Sequence, residues 1–205
     1  MACTRAESPD AGKRSAAMRT PSAAESLLAE GIALHEREAY DSARAVLGTA
    51  LAAARSDRDE RTEALILTRL ALARWRMGDL AAAAATHDSA LTLKLRLNMT
   101  DELSRSYNGL GLLALSQNRN ADAARSFEQA LSAAVAANDS VGAARAIGNA
   151  GLAYAYLGDL RRAREGHRAL RKAGRNFRDA RLEANGLANE AMIDVAEADP
   201  QGAQE

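Results

Sequence analysis

The chain has 205 residues with 27 basic and 27 acidic side chains, so its formal charge is zero, and that balance argues against a generic polyanion binder. Fifty alanines and 26 leucines stand against eight valines plus isoleucines and seven aromatics, which disfavours a β-rich fold and favours helices. The single cysteine, Cys3, excludes an intrachain disulfide and a thiolate metal cluster.

Residues 1–22 are rich in Ala, Ser, Arg and Pro and hold no apolar run. Such a segment buries too little surface to offset chain entropy, and it is expected to be disordered. It contains no signal-peptide hydrophobic region, so a cytoplasmic location is expected. The alternative is a cell-envelope lipoprotein anchored at Cys3, which follows a small residue and precedes a polar tether. That reading requires a start codon upstream of Met1. From there on, Ala- and Leu-rich segments with helical periodicity predict helices near 24–38, 40–55, 59–77, 79–97, 101–117, 120–137, 141–157, 159–175 and 178–198. Gly78 and Gly158 can end a helix in a left-handed conformation, and Asp79 and Asp159 can cap the next one. Asp57, Thr100 and Ser140 are expected to cap the helices that follow them. No stretch approaches the roughly 18 consecutive apolar residues of a membrane span. The helix from about 178 lacks a partner before Asp199-Pro200 and the tail 200–205. It is either a cap on the array or the edge of a fragment. Asn185, Asn189, Glu190, Asp194 and Glu197 make it more polar than its predecessors, which suits a cap.

The segments repeat at a pitch of 40. Gly31, Ala71, Gly111, Gly151 and Ala191 form one column. Ala43, Ala83, Ala123 and Ala163 form a second, Leu47, His87, Phe127 and His167 a third, and Ala50, Ala90, Ala130 and Leu170 a fourth. Small residues in the first two columns would let the helices of a hairpin approach closely. Leu27, Leu67, Tyr107, Ile147 and Leu187 would fill the space between hairpins. Glu30 and Arg171 replace expected apolar residues and would loosen the packing locally.

Several runs carry a resemblance: Leu70-Ala71 through Gly78-Asp79-Leu80 to Ala83 and Ala90-Leu91, Leu110-Gly111 through Ala123, Phe127 and Ala130-Leu131, and Gly151 through Tyr154, Gly158-Asp159-Leu160 and Ala163. In these, and in Gly31, Tyr40, Ala43, Ala50 and Leu51, residues 23–199 resemble the tetratricopeptide repeat family. The pitch exceeds the family's usual one of about 34, and the usual terminal proline is absent, as in the longer-helix arrays of kinesin light chains and bacterial regulators. The resemblance implies an all-α, right-handed α-solenoid of stacked antiparallel hairpins, with four units starting near 24, 64, 104 and 144 and a terminal helix. It also implies a non-catalytic scaffold that binds a protein or peptide in a concave groove lined by the first helix of each hairpin. Carried over by column, the groove residues are Arg69, Arg105, Arg145, Asn149, Asn185 and Asn189, with Asn108 beside them. Arg76 joins Arg69, Arg105 and Arg145 in making the groove locally basic, so an acidic peptide is the expected ligand.

The remaining residues offer little chemistry. His87 and His167 share a column with Leu47 and Phe127, so a structural role is expected, with one hydrogen bond satisfied. His35 joins no ligand spacing, and neither metal nor cofactor is expected. Ala11-Gly12-Lys13-Arg14 lacks the other elements of a phosphate loop, no nucleophile elbow occurs, and no enzyme is expected. Charge is unevenly placed: residues 161–181 hold nine basic and two acidic side chains, and residues 182–205 hold six acidic and none basic. That block is an anion-binding face, a means of self-association through array ends, or a solvated helix whose arginine stems cover alanine. Two alternatives to the scaffold therefore stand. One is a sensory or regulatory module of a larger bacterial regulator, and the excess of 24 arginines over 3 lysines fits a GC-rich bacterial genome. The other is a nucleic-acid-binding helical repeat acting through the 161–181 block.

Overall fold

A computed structural model describes residues 20–198. The segment 1–19 with Cys3, and residues 199–205 with Asp199-Pro200, lie outside the described residues. Among those described there are nine helices and no strand: α1 (Ala23–Glu36), α2 (Tyr40–Ser56), α3 (Glu60–Arg76), α4 (Leu80–Arg96), α5 (Thr100–Ser116), α6 (Asn120–Ala136), α7 (Ser140–Tyr156), α8 (Leu160–Phe177) and α9 (Ala180–Ala198). Each predicted helix is present within about two residues.

The turns explain the register. Each of helices α1 to α8 ends on a left-handed residue, at Glu38, Arg58, Gly78, Asn98, Asn118, Asn138, Gly158 and Arg178, so the backbone repeats every 20 residues and the sequence every 40. At α3 the Gly78 N–H bonds the Trp75 carbonyl and the Asp79 N–H bonds the Arg74 carbonyl, and the other turns repeat this closure. Glycine and asparagine tolerate left-handed backbone, whereas Glu38, Arg58 and Arg178 adopt it at a steric cost of about 1 kcal/mol or more. Arg58→Gly is therefore expected to stabilise the chain by about 0.5–1 kcal/mol, part of the relief being offset by unfolded-state entropy. Urea denaturation checks this, and a loss of stability would contradict it.

The three-residue turn also corrects the caps. Asp79 and Asp159 cap α4 and α8 as expected, accepting hydrogen bonds from the backbone of Ala82 and Arg162. Asp57, however, closes α2, and the cap of α3 is Asp59, which accepts from the Thr62 N–H at 3.0 Å. Thr100 and Ser140 are first helical residues rather than caps. Asp139 caps α7, while Met99 precedes α5 without a side-chain bond. The left-handed residue fixes the cap one position after itself, which the sequence does not mark when that residue is neither glycine nor asparagine.

Hairpins close by setting a large side chain on a small one. A β-carbon at Gly31 would stand 2.6 Å from Leu47, and Gly111 and Gly151 lie in the same way beneath Phe127 and His167. Between hairpins, Leu67 is buried and Leu27, Tyr107 and Ile147 are half-buried, but Leu187 is exposed because no helix follows it among the described residues. Consecutive helices pack throughout. In addition α1 meets α3, α3 meets α5, α5 meets α7 and α7 meets α9, while no two even-numbered helices pack comparably among the described residues. The array therefore bends with its odd-numbered helices on the inner side.

Candidate functional site on the inner face

Two clefts open between the odd-numbered helices. The first, of about 170 Å³, is walled by Leu28 and Ile32 of α1, Leu65, Thr68 and Arg69 of α3, and Glu102 and Arg105 of α5. Arg69 is half-buried, and no carboxylate reaches its guanidinium among the described residues. Burial and then the nearby Arg105 lower its pKa, against weaker opposition from Glu102 and Glu36. Arg105 is held by the Glu102 carboxylate at 2.5 Å.

A third cation lies beneath them. Lys94 of α4 is fully buried, and its ammonium donates to the Ser106 Oγ at 3.0 Å and the Glu102 backbone carbonyl at 3.3 Å. It stands 3.5 Å from the same Glu102 carboxylate that holds Arg105. Burial pushes the ammonium down to about 8, with Glu102 opposing the shift. Sequence reasoning missed Lys94. The signal was available: it falls in the column of Ala54, Ala134 and Gly174, all buried and small.

The second cleft, of about 340 Å³, is walled by Arg145 and Asn149 of α7, Leu170 of α8, and Asp179, Arg181, Leu182 and Asn185 around the start of α9. The Asn149 amide donates to the Asn108 side-chain oxygen at 3.0 Å, linking α7 to α5 between the clefts. Asp179 is occupied as the cap of α9, accepting from the backbone of Arg181 and Leu182. Arg145 has no ion pair among the described residues. The inner face thus brings Arg69 together with Arg105, and Arg145 with Asn149 and Asn185. It does not bring in Arg76, which lies over the Trp75 ring at 4.8 Å, nor Asn189, whose amide stands 3.4 Å from His167 Nδ1.

Residues 62–136 match the family model for the tetratricopeptide repeat. The matched stretch carries tetratricopeptide repeats, and the described helices share the fold of tetratricopeptide-repeat arrays. The chain is similar to BtubC (BKLC) from P. vanneervenii, with a TM-score of 0.72 and 18% identity over 88% of this chain and 75% of that one. It is also similar to a kinesin light chain from Podosopora anserina with nearly identical TPR-like repeats, with a TM-score of 0.61 and 15% identity over 89% of this chain and 99% of that one. A third likeness is the MamA RS-1 ArsTM double mutant, with a TM-score of 0.52 and 18% identity over 85% and 96%. At such identities the likeness is one of fold. No curated protein sequence matches the chain. Tetratricopeptide-repeat arrays generally mediate protein–protein interaction and are typically non-catalytic.

Within the helical array the histidines differ from one another. His167 keeps one side-chain partner, Asn189, as expected. His87 does not: it is buried against Gly109 with neither ring nitrogen hydrogen-bonded, and burial, then Lys94, pushes it down to about 4. His35 packs edge-on to Tyr40, with centroids 5.1 Å apart. No group of three or more metal-ligating side chains occurs among the described residues, and no helix there is long and apolar enough to cross a membrane.

Three of the nine basic side chains of the block pair with the helix that follows it. Arg164 pairs with Asp194 at 2.6 Å and Glu197 at 2.7 Å, Arg175 with Glu183 at 2.6 Å, and Arg171 with Glu190 at 3.3 Å. Arg161 and Arg162 pair with Glu165 and Asp159 of their own turns. Arg171, expected to loosen its unit, instead ties α8 to α9. Part of the charge asymmetry along the sequence thus joins these two helices.

Proposed function

We propose that the array is a non-catalytic scaffold whose inner face docks an acidic segment of a protein partner. The observation that carries this is the first cleft, where Arg105 and the Lys94 beneath it share the Glu102 carboxylate and Arg69 has no carboxylate in reach. A half-buried guanidinium without a counter-ion is poorly solvated, and a partner carboxylate would relieve it with a charge-assisted hydrogen bond of about 1.5–3 kcal/mol. Leu28, Ile32 and Leu65 offer the neighbouring aliphatic side chain a place to bury. Arg145 supplies a second cationic position further along the same face, with Asn149 and Asn185 able to bond peptide backbone.

Selection of a display library of random short peptides on the immobilised chain tests this. The enriched peptides are expected to be rich in Asp and Glu. Their binding is expected to weaken about 10- to 100-fold in the Arg69→Glu and Arg145→Glu double variant, and to fall as salt is raised. Enriched peptides without acidic bias, or acidic binders indifferent to the double variant, would overturn the reading.

A further inference from the structure

The arginines of the odd-numbered helices differ in what answers them. In the middle of the array each has a carboxylate: Arg61 of α3 stands 3.5 Å from Asp101 of α5, and Arg105 is held by Glu102 one turn before it. Forty residues on, Arg145 of α7 repeats Arg105, but Gly142 stands in the position of Glu102. Arg181 of α9 repeats Arg61, and Val141 of α7 stands in the position of Asp101. Both carboxylates are replaced while both guanidiniums are kept. Arg145 and Arg181 have no ion pair among the described residues, and both line the second cleft. The carboxylate in that lining, Asp179, is turned to backbone, accepting from the N–H groups of Arg181 at 3.0 Å and Leu182 at 3.1 Å. Asn149 and Asn185 add side-chain amides to the same walls, beside buried Leu170 and Leu182.

We propose that the second cleft seats a phosphorylated serine or threonine side chain of the docked partner segment. This rests on the acidic-segment reading of the inner face and narrows it at one position. A carboxylate carries one charge and two oxygens, which a single guanidinium fork satisfies. Two forks from different helices, with amides on the same walls, instead match a group with three acceptor oxygens and a charge of about −1.5 to −2. Two guanidiniums against one carboxylate leave the cleft cationic, and about 340 Å³ gives a phosphorylated side chain room. The first cleft is its opposite. It has half that volume and one unpaired guanidinium, and the Glu102 carboxylate in its wall disfavours a dianion. The two clefts therefore take different groups of one segment, a carboxylate at Arg69 and a phosphomonoester between Arg145 and Arg181.

Three degenerate peptide libraries, alike except for phosphoserine, glutamate or serine fixed at the centre, test this on the immobilised full chain. The phosphoserine library is expected to bind about tenfold or more tighter than the glutamate library. Arg181→Ala, a change at an exposed position, is expected to bring the two close to parity with helicity unchanged. Arg69→Glu is expected to weaken both and to leave their ratio intact. Equal binding of the phosphoserine and glutamate libraries, a phosphoserine preference that survives Arg181→Ala, or one lost with Arg69→Glu instead would overturn the inference while acidic docking stands. Binding of neither above the serine library would overturn both.

Discussion

His87→Leu is expected to stabilise the array by about 1 kcal/mol near neutral pH and by about 3 kcal/mol near pH 5. At neutral pH the gain comes from removing two buried ring nitrogens that have no hydrogen-bond partner, a type of defect that costs on the order of 1–3 kcal/mol. The column already shows what fits: Leu47 and Phe127 occupy the same place in two other hairpins. Leucine is the smaller of these, and Gly109 lies against the ring here as Gly31 lies against Leu47. The acid increment follows from linkage. The imidazole is pushed from 6.5 down to about 4 in the folded chain, so between those values the unfolded chain binds a proton that the folded chain refuses. This contribution to stability is fully present above about 6.5 and is lost as pH falls toward 4, amounting to about 2 kcal/mol near pH 5. Leucine cannot titrate and escapes the loss. Urea melts of both proteins near pH 7.5 and pH 5 read the difference directly. A gap that does not widen in acid would show that His87 finds a partner, such as a trapped water.

Legibility in the sequence followed the physics of each feature. The nine helices and their packing columns could be read because alanine and glycine must recur wherever two helices approach, and Gly31 under Leu47 is the structural form of that recurrence. The half-length repeat was marked by Gly78, Asn98, Asn118, Asn138 and Gly158 at 20-residue intervals, but the mark is lost at Glu38, Arg58 and Arg178, which adopt the same backbone under tertiary constraint. At the inner face, column transfer placed Arg69 with Arg105 and Arg145 with Asn149, since odd-numbered helices align along one surface. It could not show that Asn149 is bonded to Asn108, which depends on the distance between neighbouring hairpins, whereas the Glu102–Arg105 pair, three residues apart on α5, was open to reading from spacing alone. The acidic stretch after residue 182 was visible as charge, but its pairing with Arg164, Arg171 and Arg175 depends on how α8 and α9 lie against each other.

Lys94→Met is the converse experiment, expected to add stability and remove binding. Methionine fills a similar volume without charge, and the substitution leaves no group stranded. Glu102 keeps Arg105, and the Ser106 hydroxyl can donate to the Glu102 carbonyl, its own i−4 acceptor, which Lys94 now engages. Burial outweighs the attraction of Glu102, since the ammonium falls from 10.5 to about 8. A charged Lys94 near neutral pH therefore carries a penalty of up to about 3 kcal/mol, and about 2 kcal/mol of gain is expected on replacement. The sign of the pH dependence is fixed. Between about 8 and 10.5 the unfolded chain holds a proton that the folded chain releases, so the natural chain gains stability as pH rises through that window. The variant does not, and its advantage should shrink there. Melts near pH 7 and pH 10 measure this, and a variant less stable near pH 7 would show that the Glu102 pair outweighs burial. The same substitution removes the buried cation beneath the first cleft, so an acidic peptide that binds there should bind the more stable variant less well. Stability and affinity moving in opposite directions at one residue would identify Lys94 as retained for the field it projects into the cleft, at the expense of the fold.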